Sequence, residues 1–202
     1  DELEQWMVII YRPNHDALTI FQGSDIDVNE LVTKTIDLVK DGIDWTQEID
    51  FSQHVLASSH YHKTGTMRWV QTKIVSEKLA KELTKISTSP KENEPFLFFV
   101  IPENHAAENV VKHIAADNDR IVLGESKSIE AIKSYSLELV ALTNIIKENK
   151  KIAHDRIAKT ELNNRVLMTE RLIEREFDKA LEEATWYYNG DKHSNITISA
   201  LA

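Results

Sequence analysis

Between Ser128 and Gly190 the chain contains neither glycine nor proline, and the stretch is built mainly of Ala, Leu, Ile, Glu, Lys and Arg. These residues lose little freedom in a helix and nothing among them breaks one, so long helices are the favoured structure. Two apolar stripes recur at helical spacing. Ile129, Ile132, Leu139, Leu142 and Ile146 mark the first, and Ala158, Leu162, Val166, Ile173, Phe177, Ala180 and Ala184 mark the second. The polar run from Lys147 to Lys151 is the natural interruption, which leaves two outcomes, a helical hairpin or one rod. The spacing resembles a coiled-coil seam, so the segment is expected to pack on itself, on the rest of the chain, or on another copy in a homo-oligomer. Trp186-Tyr187-Tyr188 reads as the end of the second helix, with aromatic packing as its ordinary role.

The residues before this stretch alternate between strand and helix patterns. Trp6 to Tyr11 and Ala17 to Phe21 read as a hairpin-like pair of strands. A first helix follows, capped by Asp27 or Asn29, carrying Leu31, Val32, Ile36, Leu38 and Val39, and stopped by Gly42. Residues 43–59 have scattered apolar anchors and suggest at most a short helix before His60. Thr66 to Val75 alternates as a strand with two differently filled faces. Ser76 then caps a helix striped by Leu79, Leu83 and Ile86, and Pro90 to Pro95 forms a linker-like loop. Phe96 to Ile101 is continuously apolar, as in a strand buried on both faces. A helix over 105–116, a turn at Asp117 to Asp119 and a strand from Arg120 to Gly124 complete a strand–helix–strand unit, which implies a parallel crossover.

The expected fold class is therefore α/β, with α+β as the alternative: a mixed sheet with flanking helices, followed by a long helical hairpin. The sequence divides into an α/β domain over 1–127, a helical hairpin or rod over 128–188, and a terminal segment over 189–202 that reads as a truncated strand from the alternating Ile196 and Ile198. The opening Asp1-Glu2-Leu3, without an initiator Met, adds to the expectation of an excised fragment.

Composition narrows the function classes. A net charge of −9 over 202 residues opposes nonspecific approach to phosphate backbones, although a local basic patch overrides such a field. The absence of cysteine excludes disulfides, Cys-based zinc sites, iron–sulfur clusters and thiol catalysis within these residues, and fits a reducing cytoplasm. The apolar run Phe96 to Ile101 is far short of the roughly 20 residues a membrane-spanning helix needs.

Polar, aromatic and cationic chemistry concentrates in His60-Tyr61-His62-Lys63-Thr64-Gly65-Thr66-Met67-Arg68-Trp69, where a loop is expected to feed a strand. On a strand, His60 and His62 share one face, as some metal sites require, with His54 and His15 as further ligands; solvated histidines are the alternative. Thr64-Gly65-Thr66 beside Lys63 and Arg68 permits a phosphate reading, but matches neither Gly-rich nucleotide motif; the alternative is a turn with a left-handed Gly and Thr hydroxyls bonded to local backbone. Gly23 to Asp27 reads as a strand end, a turn and a cap. Along the second long helix, Arg156, Lys159, Arg165, Arg171 and Arg175 are interspersed with acids, which intrahelical pairing accounts for. No nucleophile elbow, Ser-His-Asp set or paired-carboxylate arrangement is present as a motif.

Ala17 to Asp27 and Ser59 to Trp69 resemble segments that occur in this order in large prokaryotic multidomain P-loop ATPases of the phage-defence, BREX-type kind. The resemblance implies a non-catalytic coupling or recognition module of an ATP-binding parent. Its ATP and Mg2+ would sit in a separate nucleotide module, so the resemblance implies no cofactor in these residues and assigns none of them a catalytic role. His60, Tyr61, Thr64, Gly65, Thr66, Arg68 and Trp69 match the motif and are the candidate contacts, with other domains of the parent as expected partners. The competing expectations are a nucleic-acid-binding domain presenting Lys63, Arg68 and Trp69, and a metal-dependent hydrolase centred on His60 and His62.

Overall fold

The computed structural model describes residues 9–12, 17–20, 26–75, 97–102, 121–194 and 196–201. The helices expected over 77–83 and 105–116, the loop between Pro90 and Pro95, the Gly23 turn and His15 lie outside the described residues. The protein has a mixed α/β fold, and its contacts divide the chain into two compact units, 1–43 with 137–171 and 44–136 with 172–202. Each unit is assembled from separated stretches of the chain.

The first unit holds an antiparallel pair, β1 (Ile9–Arg12) and β2 (Ala17–Ile20), and the helix α1 (Val28–Val39). The Asp27 carboxylate accepts the Glu30 amide at 3.0 Å and so caps α1. The helix stops at Lys40 in a right-handed conformation, so a left-handed Gly42 does not supply the stop. Parts of α4 (Ile129–Glu148) and α6 (Arg156–Glu183), with the short α5 (Lys150–His154) between them, complete the unit. They form a hairpin rather than a rod. Asn149 accepts the Lys151 amide at 3.0 Å, and Asp155 accepts the amides of Ile157 and Ala158 at 2.9 Å each. Each side chain thus caps the helix that follows it, which breaks the helical run twice without glycine or proline. Val28, Val32, Leu142, Ile145, Ile152, Ala158 and Leu162 form the core of this unit. At its edge, the Arg165 guanidinium donates to Glu138 at 2.5 Å and to Asn29 at 2.9 Å.

The second unit is built on a six-stranded sheet in the order β3 (Gln53–Leu56), β4 (Trp69–Ile74), β5 (Leu97–Pro102), β6 (Ile121–Ser126), β7 (Thr185–Tyr188), β8 (Asp191–His193). The β4–β5 and β5–β6 pairs are parallel, the second as the strand–helix–strand pattern over 96–124 implies; the other three are antiparallel. The sheet is therefore mixed. The long helices are not appended after it, because the chain returns from them to add β7 and β8. Trp186 and Tyr187 belong to β7 and are fully buried, not the close of a helix. The tight turn into β8 uses Asn189 and Gly190, both left-handed at φ 49° and 82°. Two successive positive φ values match the twist of a two-residue hairpin.

Gly124 on β6 lies opposite Trp186 on β7, and the indole ring covers the glycine backbone. Tyr187 donates its hydroxyl to Glu125 at 3.1 Å. Phe51 packs against Trp45, the first residue of the short helix α2 (Trp45–Glu48), and against Phe177, with ring centroids 6.0 and 5.9 Å apart. The end of the unit departs from the strand expected there: Ile198–Leu201 form a short helix, α7. Ser199 of α7 shares a 2.6 Å hydroxyl contact with Ser58 and donates to the Leu56 carbonyl at 2.9 Å.

Candidate functional site

The stretch from His60 to Trp69 is a helix and a short connection rather than a loop feeding directly into a strand. α3 (Ser58–Thr64) follows the edge strand β3. Gly65 ends α3 at φ 70°, with its amide on the Tyr61 carbonyl at 2.8 Å. The Ala57 amide donates a hydrogen bond to the Arg68 carbonyl at 2.9 Å and closes the connection just before Leu56 pairs with Trp69. Residues 57–68 are therefore a helical loop bridging two antiparallel strands, held at both ends by the ladder.

This geometry removes the strand-face pairing of His60 and His62. Residues two apart on a helix point to different sides, and among the described residues no group of three His, Asp or Glu side chains is placed to hold a metal. The Thr64 hydroxyl donates to the His60 carbonyl at 2.9 Å and accepts the Thr66 amide at 3.2 Å. The amides of Gly65 and Thr66 are thus satisfied internally, so an anion here meets side chains rather than a backbone cradle.

What the arrangement presents outward is aromatic and cationic. Tyr61, Met67 and Trp69 are 43%, 64% and 48% exposed, and His62, Lys63, Thr64, Gly65, Thr66 and Arg68 are exposed with them, while His60 is half-buried. Along β4 the side chains alternate. Val70, Thr72 and Ile74 are buried on one face, and Trp69, Gln71 and Lys73 are at least partly exposed on the other. Register places Leu56 beside Trp69 and His54 beside Gln71, which extends the outward face onto the edge strand.

A sequence signal beyond motif and periodicity supports this patch. From Phe51 to Ser76 there is no aspartate or glutamate, while Lys63, Arg68, Lys73 and three histidines fall inside the run. The negative excess of the chain therefore lies wholly elsewhere. Asp50 borders the run, and hydrogen bonds from the Ser52 hydroxyl and amide, aided by the charge of Lys73, hold its carboxyl below the usual carboxylate range. Asp178, which accepts from Gln53 at 3.4 Å, is a second acid at the rim.

The first unit has a separate shallow groove of about 540 Å3, lined by Leu31, Leu38, Ile145, Lys150 and Lys151 among others. Its lining also carries Thr35, Asn144, Glu148 and Asn149, and it gathers no set of nucleophile, base and orienting group. No helix among the described residues is long and apolar enough to cross a membrane.

Comparison with protein-family models, curated proteins and solved structures finds no match.

Substituting Gly65 by alanine tests how the connection is built. Open space surrounds the position, so the penalty comes only from holding a left-handed backbone with a Cβ, about 1 kcal/mol. Thermal denaturation is expected to register that loss. An unchanged midpoint would mean that Gly65 does not need its left-handed conformation.

Proposed function

We propose that this chain is a non-catalytic recognition and coupling module of a larger ATP-driven protein, of the phage-defence kind that Ala17 to Asp27 and Ser59 to Trp69 resemble. In this reading the face built from α3, the 65–68 connection and β4 is its contact surface, and the module works in the cytoplasm. The observation that carries it is the pairing of half-exposed Tyr61 and Trp69 with Lys63, Arg68 and Lys73 in a run free of acids. Aromatic and Arg side chains at the surface are the residues that anchor interfaces, and a rigid ladder keeps their ordering cost low. ATP and Mg2+ belong, in this reading, to a nucleotide module outside these residues.

Two measurements test it. The purified 202-residue chain is expected to hydrolyse no ATP above a buffer blank; turnover that follows the chain through successive purification steps overturns the non-catalytic assignment. With its partner bound to the intact parent, the amides of residues 65–69 are expected to exchange more slowly than in the parent alone. Equal exchange in the two would remove the contact role of this face.

A further inference from the structure

We infer that the ligand of this face is a single-stranded nucleic acid. The inference rests on the recognition reading above and names its partner. Lys63, Lys73 and the three histidines of 51–76 lie in a stretch of sequence without aspartate or glutamate, in a chain of net charge −9, so a polyanion meets less repulsion at this tract than over the rest of the chain. Charge alone does not choose between an acidic peptide and a nucleic acid. The aromatic groups do: a base offers a flat π-face to an exposed indole, and such stacking is the main sequence-tolerant contact to single strands.

The placement fits that chemistry. Trp69 opens β4 on its outward face and Lys73 is four residues along the same face, roughly 13 Å away at the strand rise. A base stacked on Trp69 therefore has Lys73 as a phosphate partner further along the strand. Gln71 and His54, paired across the ladder between them, are hydrogen-bonding groups for a base edge. Lys63 lies on α3, the helix that leads into the connection before Trp69, and Asp50 and Asp178 bound the tract at its rim. A duplex hides its bases from such a surface, and α3, with seven residues, is a short helix for entering a groove.

The test is a fluorescence anisotropy titration of the 202-residue chain with a labelled oligothymidylate of about 12 nucleotides, within the site sizes usual for single-strand binding surfaces. Parallel arms use the matching duplex and a polyglutamate peptide. The single strand is expected to bind best and to weaken steeply with salt. Trp69→Ala is expected to weaken it about 10-fold or more, the range for loss of one stacked base, while Trp69→Phe keeps most of the binding. Lys73→Gln is expected to lower the salt slope by about 1. Should Trp69→Ala fail to fold, Trp69→Phe and Lys63→Glu, which is expected to weaken binding, carry the comparison.

The inference is overturned if the oligonucleotide shows no salt-dependent binding, if Trp69→Ala leaves its binding unmoved, or if the duplex binds as tightly. Polyglutamate bound through Trp69 with no oligonucleotide binding overturns it too, yet leaves the recognition face standing. Failure of both ligands, together with unchanged exchange at 65–69 when the parent binds its partner, ends both readings.

Discussion

Replacing Gly124 by alanine is expected to destabilise the second unit by about 3 kcal/mol, the upper part of the range for overpacking a filled site, and so to lower its melting midpoint by roughly 10 °C. A Cβ at this position would meet Cζ3, Cε3 and Cη2 of Trp186 at 2.6, 2.8 and 3.2 Å. Contacts that short demand movement, and the indole has nowhere to go. Trp186 is 0% exposed and is held in register on β7, directly across from Gly124. Relief must come from the ring tilting off its rotamer or from the two strands separating, and either weakens the ladder by which the chain rejoins the sheet after its helices. The ring itself identifies the cause. Trp186→Phe alone leaves a void and costs stability, but combined with Gly124→Ala it is expected to cost clearly less than the sum, because the smaller ring frees the space the methyl needs. Additive losses, or a Gly124→Ala protein as stable as the parent in chemical denaturation, would show that the indole does not lie over this backbone.

The same strand pair marks where sequence reading stops being sufficient. The helical period runs through Ala180 to Ala184 and carries the eye into Thr185-Trp186-Tyr187-Tyr188 as if the helix continued. Those four residues are nevertheless β-branched and aromatic, and Asn189-Gly190 behind them is a hairpin turn written in the sequence. That local signal was available and outweighed the period. The helical hairpin was legible only as one of two outcomes, because its turn is made by Asn149 and Asp155 acting as caps, residues that look like ordinary polar surface on a linear chain. Patterns with a strong period were legible: α1, the alternation of β4, the apolar β5, and the parallel order of β5 and β6.

The candidate site divides similarly. Its residues stood out by composition, and the left-handed Gly65 with a locally bonded Thr64 hydroxyl followed from turn chemistry. Whether His60 and His62 share a face depended on period, and a short polar helix after the irregular edge strand Gln53–Leu56 carries no apolar stripe that would announce it. The outward face of Trp69, Gln71 and Lys73 became definite only with the register to β3. The acid-free run from Phe51 to Ser76, by contrast, needs no structure at all to be seen.

Leu162→Ala is expected to have a comparably large effect on the first unit, a loss of about 3 kcal/mol within the span measured for buried leucines. Leu162 is 0% exposed and lies in one cluster with Leu142, Ile145, Ala158, Val28 and Val32, so truncation leaves a cavity among α1 and both arms of the hairpin. The neighbouring residues cannot simply close over it, because the capping bonds at Asn149 and Asp155 fix where each helix begins, and the Arg165–Glu138–Asn29 contacts pin the arms and α1 together one turn further on. Leu167 is the internal control. It is the same residue type on the same helix, 56% exposed, and its replacement by alanine removes little buried surface, so its effect is expected to stay within about 0.5 kcal/mol. Hydrogen exchange reads the difference locally: Leu162→Ala is expected to speed exchange across 28–39 and 137–171 while Leu167→Ala leaves both unchanged. Equal effects of the two substitutions, or protection in α1 that ignores Leu162, would mean that the helices do not share this core and that the chain between Lys147 and Arg156 extends as a rod.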